Sequence, residues 1–271
     1  MERIERALEI ARAQRTGMPE PGARVMPLPT PKEARTCDQS VPAGFPSVPL
    51  DRIACARSRI VFPEERSPAA HAYRMLRAQL LAQIRGSTRR VVGVVSGGDA
   101  EGKSLTAVNL ALSLASEPSQ HVVLVDLDIR RPSISGLLGM PSRPGVEAYL
   151  AGRLSFEQLP VGLAGIERLL VVPCAAAVPV GDDALSGSLT QQLIERLRDT
   201  SGQPLLVVDI APALLSADVF ALAPLIDSFL IVATEGRTRR DDLARLQQLM
   251  RPMHVVGTVL NMASDFEKRA Y

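Results

Sequence analysis

The feature that most constrains the fold is a glycine-rich loop between two apolar patterns. Residues 91–96 form a valine-rich run typical of a buried strand, and residues 104–115 repeat apolar side chains at helical spacing. Between them, Gly97 and Gly102-Lys103-Ser104 satisfy the spacing GxxxxGKS. Glycines at a strand-to-helix turn let backbone N–H groups close around phosphate oxygens, and the helix N-terminus adds a favourable dipole. We therefore predict a phosphate-binding loop that comprises Gly97, Gly98, Asp99, Ala100, Glu101, Gly102, Lys103, Ser104 and Leu105.

Apolar runs alternate with helical patterns along the rest of the chain. Candidate strands cover residues 90–96, 121–126, 169–173, 205–209, 229–233 and 255–260. Candidate helices cover residues 104–115, 189–198, 217–225 and 241–250, and Ser67-Pro68 opens a further helix that runs to about Ile84. Apolar runs without polar alternation indicate strands that are buried on both faces, as in a parallel sheet. We therefore predict a doubly wound, mostly parallel α/β domain over residues 67–271.

Three aspartates at predicted strand ends complete the candidate site. Asp126 and Asp128 are two residues apart, so both point toward the carboxyl edge of the sheet. The alternative is a structural Asp-x-Asp turn. Asp209 ends a run with the shape of a Walker B strand, although many buried strands also end in aspartate. With a bound nucleoside triphosphate, Lys103 would bridge the β- and γ-phosphates and Ser104 would ligate Mg²⁺. We predict catalytic roles for Lys103, Asp126 and Asp128, and metal contacts for Ser104, Asp126 and Asp209.

Composition argues against several other classes of protein. A net charge of +2 over 271 residues is too small to favour nucleic acid as the main partner. The three cysteines are far apart and form no CxxC pair, which argues against a disulfide framework and against a zinc or iron–sulfur site. The sequence contains no run of about 18 apolar residues and no signal-peptide pattern. We expect a cytoplasmic protein that contacts a membrane through a partner.

The first 66 residues differ in pattern from the rest. Ile4, Ala7, Leu8 and Ala11 recur at helical spacing and predict an amphipathic helix over residues 1–17. Residues 18–68 hold 10 of the chain's 21 prolines and lack helical or strand periodicity. We predict that residues 18–66 form an extended, flexible linker between this helix and the α/β domain.

The order of these motifs resembles the bacterial tyrosine kinases, which are the cytoplasmic P-loop kinases of capsule and exopolysaccharide export. The likeness covers about residues 67–261 and rests on the GKS loop, on D-x-D-x-R-R-P at residues 126–132 and on D-x-x-P at residues 209–212. It implies a P-loop NTPase fold like that of MinD and ParA, the use of ATP and Mg²⁺, and phosphoryl transfer to tyrosine. The opening residues Ile4-Glu5-Arg6-Ala7-Leu8 look like the kinase subgroup tied to exosortase-associated polysaccharide loci.

The resemblance also implies roles that the residues alone do not. Asn261, at the end of the last predicted strand, would contact the adenine base. Arg74 and Arg77 stand where the family has arginines that contact a neighbouring subunit, which implies a homo-oligomer. Tyr271 stands in the position of the family's C-terminal tyrosine cluster and is a candidate phosphosite. The implied partner is a membrane-embedded polysaccharide co-polymerase or chain-length regulator, which would hold the protein peripherally at the inner membrane.

Departures from the family pattern keep two other functions open. His71 stands where the family has a glutamate before Arg74 and Arg77, Ile210 replaces a threonine after the Walker B aspartate, and the tail carries a single tyrosine. One alternative is therefore a non-catalytic ATP-binding subunit of a polysaccharide co-polymerase. The other is a positioning ATPase like MinD or ParA, although those proteins carry a signature lysine where this chain has Gly98.

Overall fold

The valine-rich runs become strands of one sheet. The computed structural model describes residues 44–178 and 184–264. Within them the strands cross the sheet in the order β1-β4-β5-β3-β6-β2-β7-β8, and every neighbouring pair is parallel except β4 with β5. The strands are β1 (Ser47–Val48), β2 (Val91–Ser96), β3 (Val122–Leu127), β4 (Val161–Leu163), β5 (Ile166–Val172), β6 (Leu205–Ile210), β7 (Ser228–Thr234) and β8 (Val255–Asn261). The predicted mostly parallel sheet is confirmed.

Helices connect most of these strands. They are α1 (Arg52–Arg57), α2 (Pro68–Ile84), α3 (Lys103–Ala115), α4 (Ile134–Leu137), α5 (Val146–Leu150), α6 (Ser188–Arg198), α7 (Asp218–Leu222) and α8 (Arg240–Leu249). The start of α2 agrees with the prediction, because the Ser67 hydroxyl accepts the N–H of Ala70 at 3.1 Å and Pro68 is the first helical residue. Among the described helices, none combines the length and apolar content needed to cross a membrane.

Side chains along each central strand alternate between two apolar clusters, one on each face of the sheet. In β2, Val92 and Val94 belong to the first cluster, whereas Val91 and Val95 belong to the second. Helices α1 to α4 supply buried residues to the first cluster, and α5 to α8 supply them to the second. Because both faces are covered, polar side chains can gather at the carboxyl ends of the strands, where ligands bind in folds of this class.

The predicted linker extends too far toward the C-terminus. Residues 44–66 belong to the folded domain, because β1 pairs with β4, and Asp51 caps α1 by accepting the N–H groups of Ile53 and Ala54. Cys55 and Phe62 are buried in the first cluster. Proline-rich composition was a misleading signal for a linker here, because the prolines separate strands and helices that are too short to show periodicity. The predicted helix of residues 1–17, the linker of residues 18–43 and the tail with Tyr271 lie outside the described residues.

Candidate functional site

The glycine-rich loop turns from β2 into α3 at the carboxyl edge of the sheet. Its backbone is left-handed at Ala100, with φ of 54°, and at Gly102, with φ of 83°. A Cβ atom at Gly102 would also overlap the side-chain nitrogen of Asn261, so both backbone conformation and space favour glycine there. Lys103 begins α3, whose first N–H groups are available to an anion. The loop therefore has the strand–turn–helix setting that a phosphate site requires.

Lys103 is surrounded by carboxylates. Its Nζ atom forms ion pairs with Asp128 and, at 3.4 Å, with Asp209, and it lies 3.1 Å from the Ser104 hydroxyl. Burial alone would lower the pKa of Lys103, but attraction from Asp209 and Asp128, with a smaller contribution from Asp126, outweighs burial and raises the pKa. The lysine is therefore a fixed positive charge inside the loop.

Asp126 and Asp209 lie side by side on adjacent strands, since they are partners in the register of β3 and β6. Both are buried completely. Asp126 Oδ2 accepts the N–H groups of Ser133 and Ile134, both at 3.1 Å. Burial and repulsion from Asp209 raise the pKa of Asp126 well above its ordinary value. Burial likewise raises the pKa of Asp209 to about 6, because Lys103 compensates only part of this effect. These two neighbouring carboxyl groups therefore resist carrying two negative charges at once.

The donor set at this edge fits Mg²⁺. Oδ1 of Asp126 and Oδ2 of Asp209 are buried and have no hydrogen-bond partner among the described residues. Hard oxygen donors of this kind, with the Ser104 hydroxyl, suit a small divalent cation. No cluster of three or more His, Cys, Asp or Glu side chains in residues 44–178 and 184–264 could hold a metal. The ion would thus depend on phosphate oxygens and water for most of its ligands, as Mg²⁺ usually does.

Two arginines beside the loop belong to the D-x-D-x-R-R-P motif, but the sequence did not predict a role for either. Arg131 pairs with Asp99 of the loop at 2.5 Å and lines a pocket of about 320 Å³ with Lys103 and Ser104. Arg130 pairs with Asp218 of α7 at 3.2 Å. The sequence signal was the R-R-P at residues 130–132, which places two cations one residue beyond the acidic pair.

Asn261 closes the end of β8 against the phosphate loop. Its side-chain nitrogen donates to the Glu101 carbonyl at 3.2 Å, and its side-chain oxygen accepts the N–H of Met262 at 2.9 Å. A groove of about 670 Å³ starts beside it and includes Leu105 and Tyr73 in its wall. This largely apolar space next to the loop could take a planar base, and the contact between Asn261 and adenine stays a prediction.

Arg74 and Arg77 do not reach the phosphate loop of their own chain. Arg74 Nη1 donates to the carbonyl of Glu65 at 3.1 Å. Arg77 Nη1 donates to the carbonyl of Ser113 at 2.9 Å, near the C-terminal end of α3. Because Lys103 begins that helix, Arg77 lies at the end of α3 remote from the loop. Their contact with a neighbouring subunit stays a prediction.

Several known proteins are similar to this chain. The family model described as ParA, NUBPL iron-transfer P-loop NTPase, matches residues 87–269, which are 183 of the chain's 271 residues. The succinoglycan biosynthesis transport protein ExoP of Rhizobium meliloti is 30% identical over 233 residues, which cover 83% of this chain and 28% of ExoP. The tyrosine-protein kinase CpsD of Streptococcus agalactiae is 26% identical over 186 residues, which cover 68% of this chain and 78% of CpsD.

A solved structure agrees with these relatives. The kinase domain of VpsO is 27% identical and superposes with a TM-score of 0.63, covering 73% of this chain and 96% of that domain. The chain spans 28% of the length of ExoP and more than three quarters of CpsD. Together with the phosphate loop and the three strand-end aspartates, these matches show that the chain is a P-loop NTPase of the ParA family and belongs to the bacterial tyrosine kinase family.

Proposed function

We propose that this chain is an ATP-dependent protein tyrosine kinase that regulates the biosynthesis and export of an exopolysaccharide or capsule. The observation that carries the proposal is the meeting of Lys103, Ser104, Asp126, Asp128 and Asp209 at one edge of the sheet. Asp126 and Asp209 lie on the adjacent strands β3 and β6, Asp128 directly follows β3, and Lys103 and Ser104 begin the helix after β2. The names of CpsD as a tyrosine-protein kinase and of ExoP as a succinoglycan transport protein support the same function.

Lys103 changes partners when nucleotide binds. In the structure its ammonium neutralises Asp128 and Asp209. Phosphate oxygens in the pocket beside it would compete for this charge, since hydrogen bonds between ionised groups are the strongest available. Asp128 would then lose its counterion, and its carboxylate could accept a hydrogen bond from the attacking hydroxyl group. When bound, Mg²⁺ neutralises charge on the phosphates and so assists phosphoryl transfer.

Asp126 is the second group suited to handle a proton. Its raised pKa lets the carboxyl group hold a proton nearer to neutral pH than an ordinary aspartate does. Oδ1, the atom that would otherwise face Mg²⁺, is the one available for this role, because Oδ2 already accepts two backbone N–H groups. A tyrosine hydroxyl that attacks a phosphoryl group must lose its proton, and an acceptor at this edge would receive it.

Among the three tyrosines, Tyr271 is the best acceptor. Tyr149 is buried, with 6% of its surface exposed. Burial raises the pKa of Tyr73, so that its hydroxyl is harder to deprotonate. We therefore infer that Tyr271 is the phosphosite, and a Tyr271→Phe variant should lose the phosphate while ATP hydrolysis continues.

A phosphotyrosine immunoblot of the purified full chain with Mg·ATP tests the proposal. Wild type should gain phosphotyrosine, and Lys103→Met should not, because the lysine supplies positive charge beside the transferred group. Lys32→Met, which alters a lysine outside the loop, is the matched control and should behave as wild type. ATP hydrolysis without phosphotyrosine would instead favour a positioning ATPase. Nucleotide binding without turnover would favour the non-catalytic subunit.

We also propose that the protein forms a homo-oligomer in which Arg74 and Arg77 approach the nucleotide site of the next subunit. Both side chains already hold backbone carbonyls of their own chain, so this contact would use their remaining donors. Sedimentation with and without Mg·ATP tests it. The same strict monomer for wild type and for Arg74→Ala/Arg77→Ala would contradict the proposal.

The membrane partner that we propose is an embedded polysaccharide co-polymerase or chain-length regulator, and residues 1–16 are the proposed tether. Their apolar stripe is too small to anchor stably in lipid alone, so protein is the better docking surface. Deletion of residues 1–16 should release the protein from the membrane fraction of cells and leave ATP hydrolysis intact. Unaltered fractionation of the shortened chain would show that this segment is not the tether.

A further inference from the structure

Glu101 places a buried carboxyl group in the phosphate loop. It is a carboxylate beside a site for anions, yet only 4% of its surface is exposed. Burying a charge is costly unless hydrogen bonds compensate it. The Glu101 carboxylate accepts two such bonds, both from uncharged donors.

The carboxylate joins the loop to a distant turn. Oε2 accepts the N–H of Gly98 at 3.0 Å, within the loop. Oε1 accepts the hydroxyl of Thr238 at 2.6 Å, in the turn between β7 and α8. The Thr238 hydroxyl in turn accepts the N–H of Thr234 at 2.8 Å. Hydrogen bonds to an ionised acceptor are roughly twice as strong as neutral ones, so this link is well suited to fix a loop.

The backbone of Glu101 is held as well. Its carbonyl accepts the Thr234 hydroxyl at 2.7 Å and the side-chain nitrogen of Asn261 at 3.2 Å. One residue of the loop is thus bonded to the end of β7, to the turn after it and to the end of β8.

These bonds act on a strained part of the backbone. Ala100 and Gly102, the two neighbours of Glu101, both have a left-handed conformation. An alanine in that conformation is strained, and such residues persist only where surrounding contacts enforce them. Glu101 lies between these two residues, and its hydrogen bonds supply such contacts. A loop released from these contacts could relax, and only the fraction still in the binding form would accept nucleotide at once.

We propose that Glu101 is a positioning residue, which holds the phosphate loop in its binding form through the hydroxyl of Thr238. This rests on the proposed function only in requiring that the loop binds nucleotide. Thr238 does not line the pocket that contains Lys103 and Ser104. It is therefore the cleaner site for a test than a residue of the loop.

The test uses the purified full chain and the dissociation constant of Mg·ADP. Thr238→Val keeps the shape of the side chain and removes the hydroxyl, and it should weaken binding by roughly tenfold, as expected for loss of a hydrogen bond to a charged group. Thr238→Ser restores the hydroxyl and should bind within about threefold of wild type. Thr258→Val, at an exposed position of β8, is the matched control and should not change affinity.

A double-mutant cycle separates this role from general stability. Glu101→Ala should also weaken binding, and adding Thr238→Val to it should weaken binding little further, because the two residues act through one bond. Steady-state kinetics should show a raised KM for ATP with kcat nearly preserved. If Thr238→Val lowers the melting temperature but leaves affinity and KM at wild-type values, the role is structural and the proposal is overturned.

Hydrogen exchange in the nucleotide-free chain tests the inference separately from the proposed function. The N–H of Gly98 should be protected in wild type and in Thr238→Ser, and should exchange at least several-fold faster in Thr238→Val. If wild type binds no nucleotide, the proposed function fails, while exchange at Gly98 still decides whether Thr238 holds the loop. Equal protection of Gly98 in all three proteins would overturn the inference.

Discussion

Replacing Asp209 with asparagine should make the nucleotide-free protein more stable at neutral pH. Asp209 is fully buried beside Asp126, and burial raises its pKa from an ordinary 3.8 to about 6. One pKa unit corresponds to about 1.4 kcal/mol, so keeping this carboxylate ionised at pH 7.5 costs the fold roughly 3 kcal/mol. Asparagine has nearly the same shape and no charge. It also removes the repulsion that acts on Asp126.

The sign of the pH dependence follows from proton binding. Between about pH 4 and pH 6 the folded chain binds the Asp209 proton more tightly than the unfolded chain does, so the stability of wild type falls as pH rises through this range. The asparagine variant lacks this titration. The gain in free energy of unfolding should therefore be near its full value, up to roughly 3 kcal/mol, above pH 7 and should shrink toward zero near pH 4.

Urea unfolding between pH 4 and pH 8, with EDTA and without nucleotide, measures this gain. Asp241→Asn is the matched control, since Asp241 is exposed in the first turn of α8. That change removes a favourable interaction with the helix dipole and should lower stability by about 0.3–1 kcal/mol. The reasoning would be refuted if Asp209→Asn were less stable than wild type at pH 7.5. It would also be refuted if the gain in free energy of unfolding were the same at pH 4.5 and at pH 7.5. The stabilised variant should nevertheless lose ATP turnover, because it lacks the Asp209 carboxylate oxygen that suits Mg²⁺.

Four further substitutions test the site and its supports. Asp126→Asn and Asp128→Asn should each lower ATP turnover by roughly 10²-fold if they handle protons or metal, with nucleotide binding retained in at least one of them; normal turnover in both would reduce the pair to a structural turn. Gly102→Ala should weaken nucleotide binding by roughly tenfold in a fluorescent-nucleotide titration, since alanine is strained in the left-handed backbone and its Cβ atom would displace the Asn261 side chain, and wild-type affinity would contradict this. Arg77→Ala should lower the free energy of unfolding by about 1–2 kcal/mol through lost hydrogen bonds at the end of α3, whereas an unchanged urea midpoint would show that these bonds add nothing.

The parts of the fold that could be predicted from sequence are those with a local signal. Valine-rich runs marked the central strands, because a strand covered on both faces needs apolar side chains at every position. β1 and β4 were not predicted, since strands of two and three residues have no period to detect. Residues 217–225, predicted as one helix, form α7 followed by a 3-10 turn over Ala223–Leu225, because Pro224 interrupts the helical hydrogen bonding.

The site shows the same division between local and long-range information. The positions of Lys103, Asp126, Asp128 and Asp209 in the sequence were enough to predict that they lie together. The reason is that the carboxyl ends of parallel strands meet at one edge of the sheet. The raised pKa values of Asp126 and Asp209 could not be predicted, because they arise from burial and from the register between β3 and β6. The hydrogen bond between Thr238 and Glu101 joins residues that are 137 positions apart, and no sequence motif contains both of them.

The strand order also determines when the chain can assemble during synthesis. β2 carries the phosphate loop, but its two neighbours in the sheet are β6 and β7. β6 begins at Leu205, and 108 residues separate it from the end of β2 at Ser96. A chain emerging from the ribosome must therefore keep an apolar strand unpaired while these residues are added, which exposes it to wrong pairing. A nucleotide in the phosphate loop could stabilise the fold only after β6 and β7 have paired with β2, so it could not guide the early steps of folding.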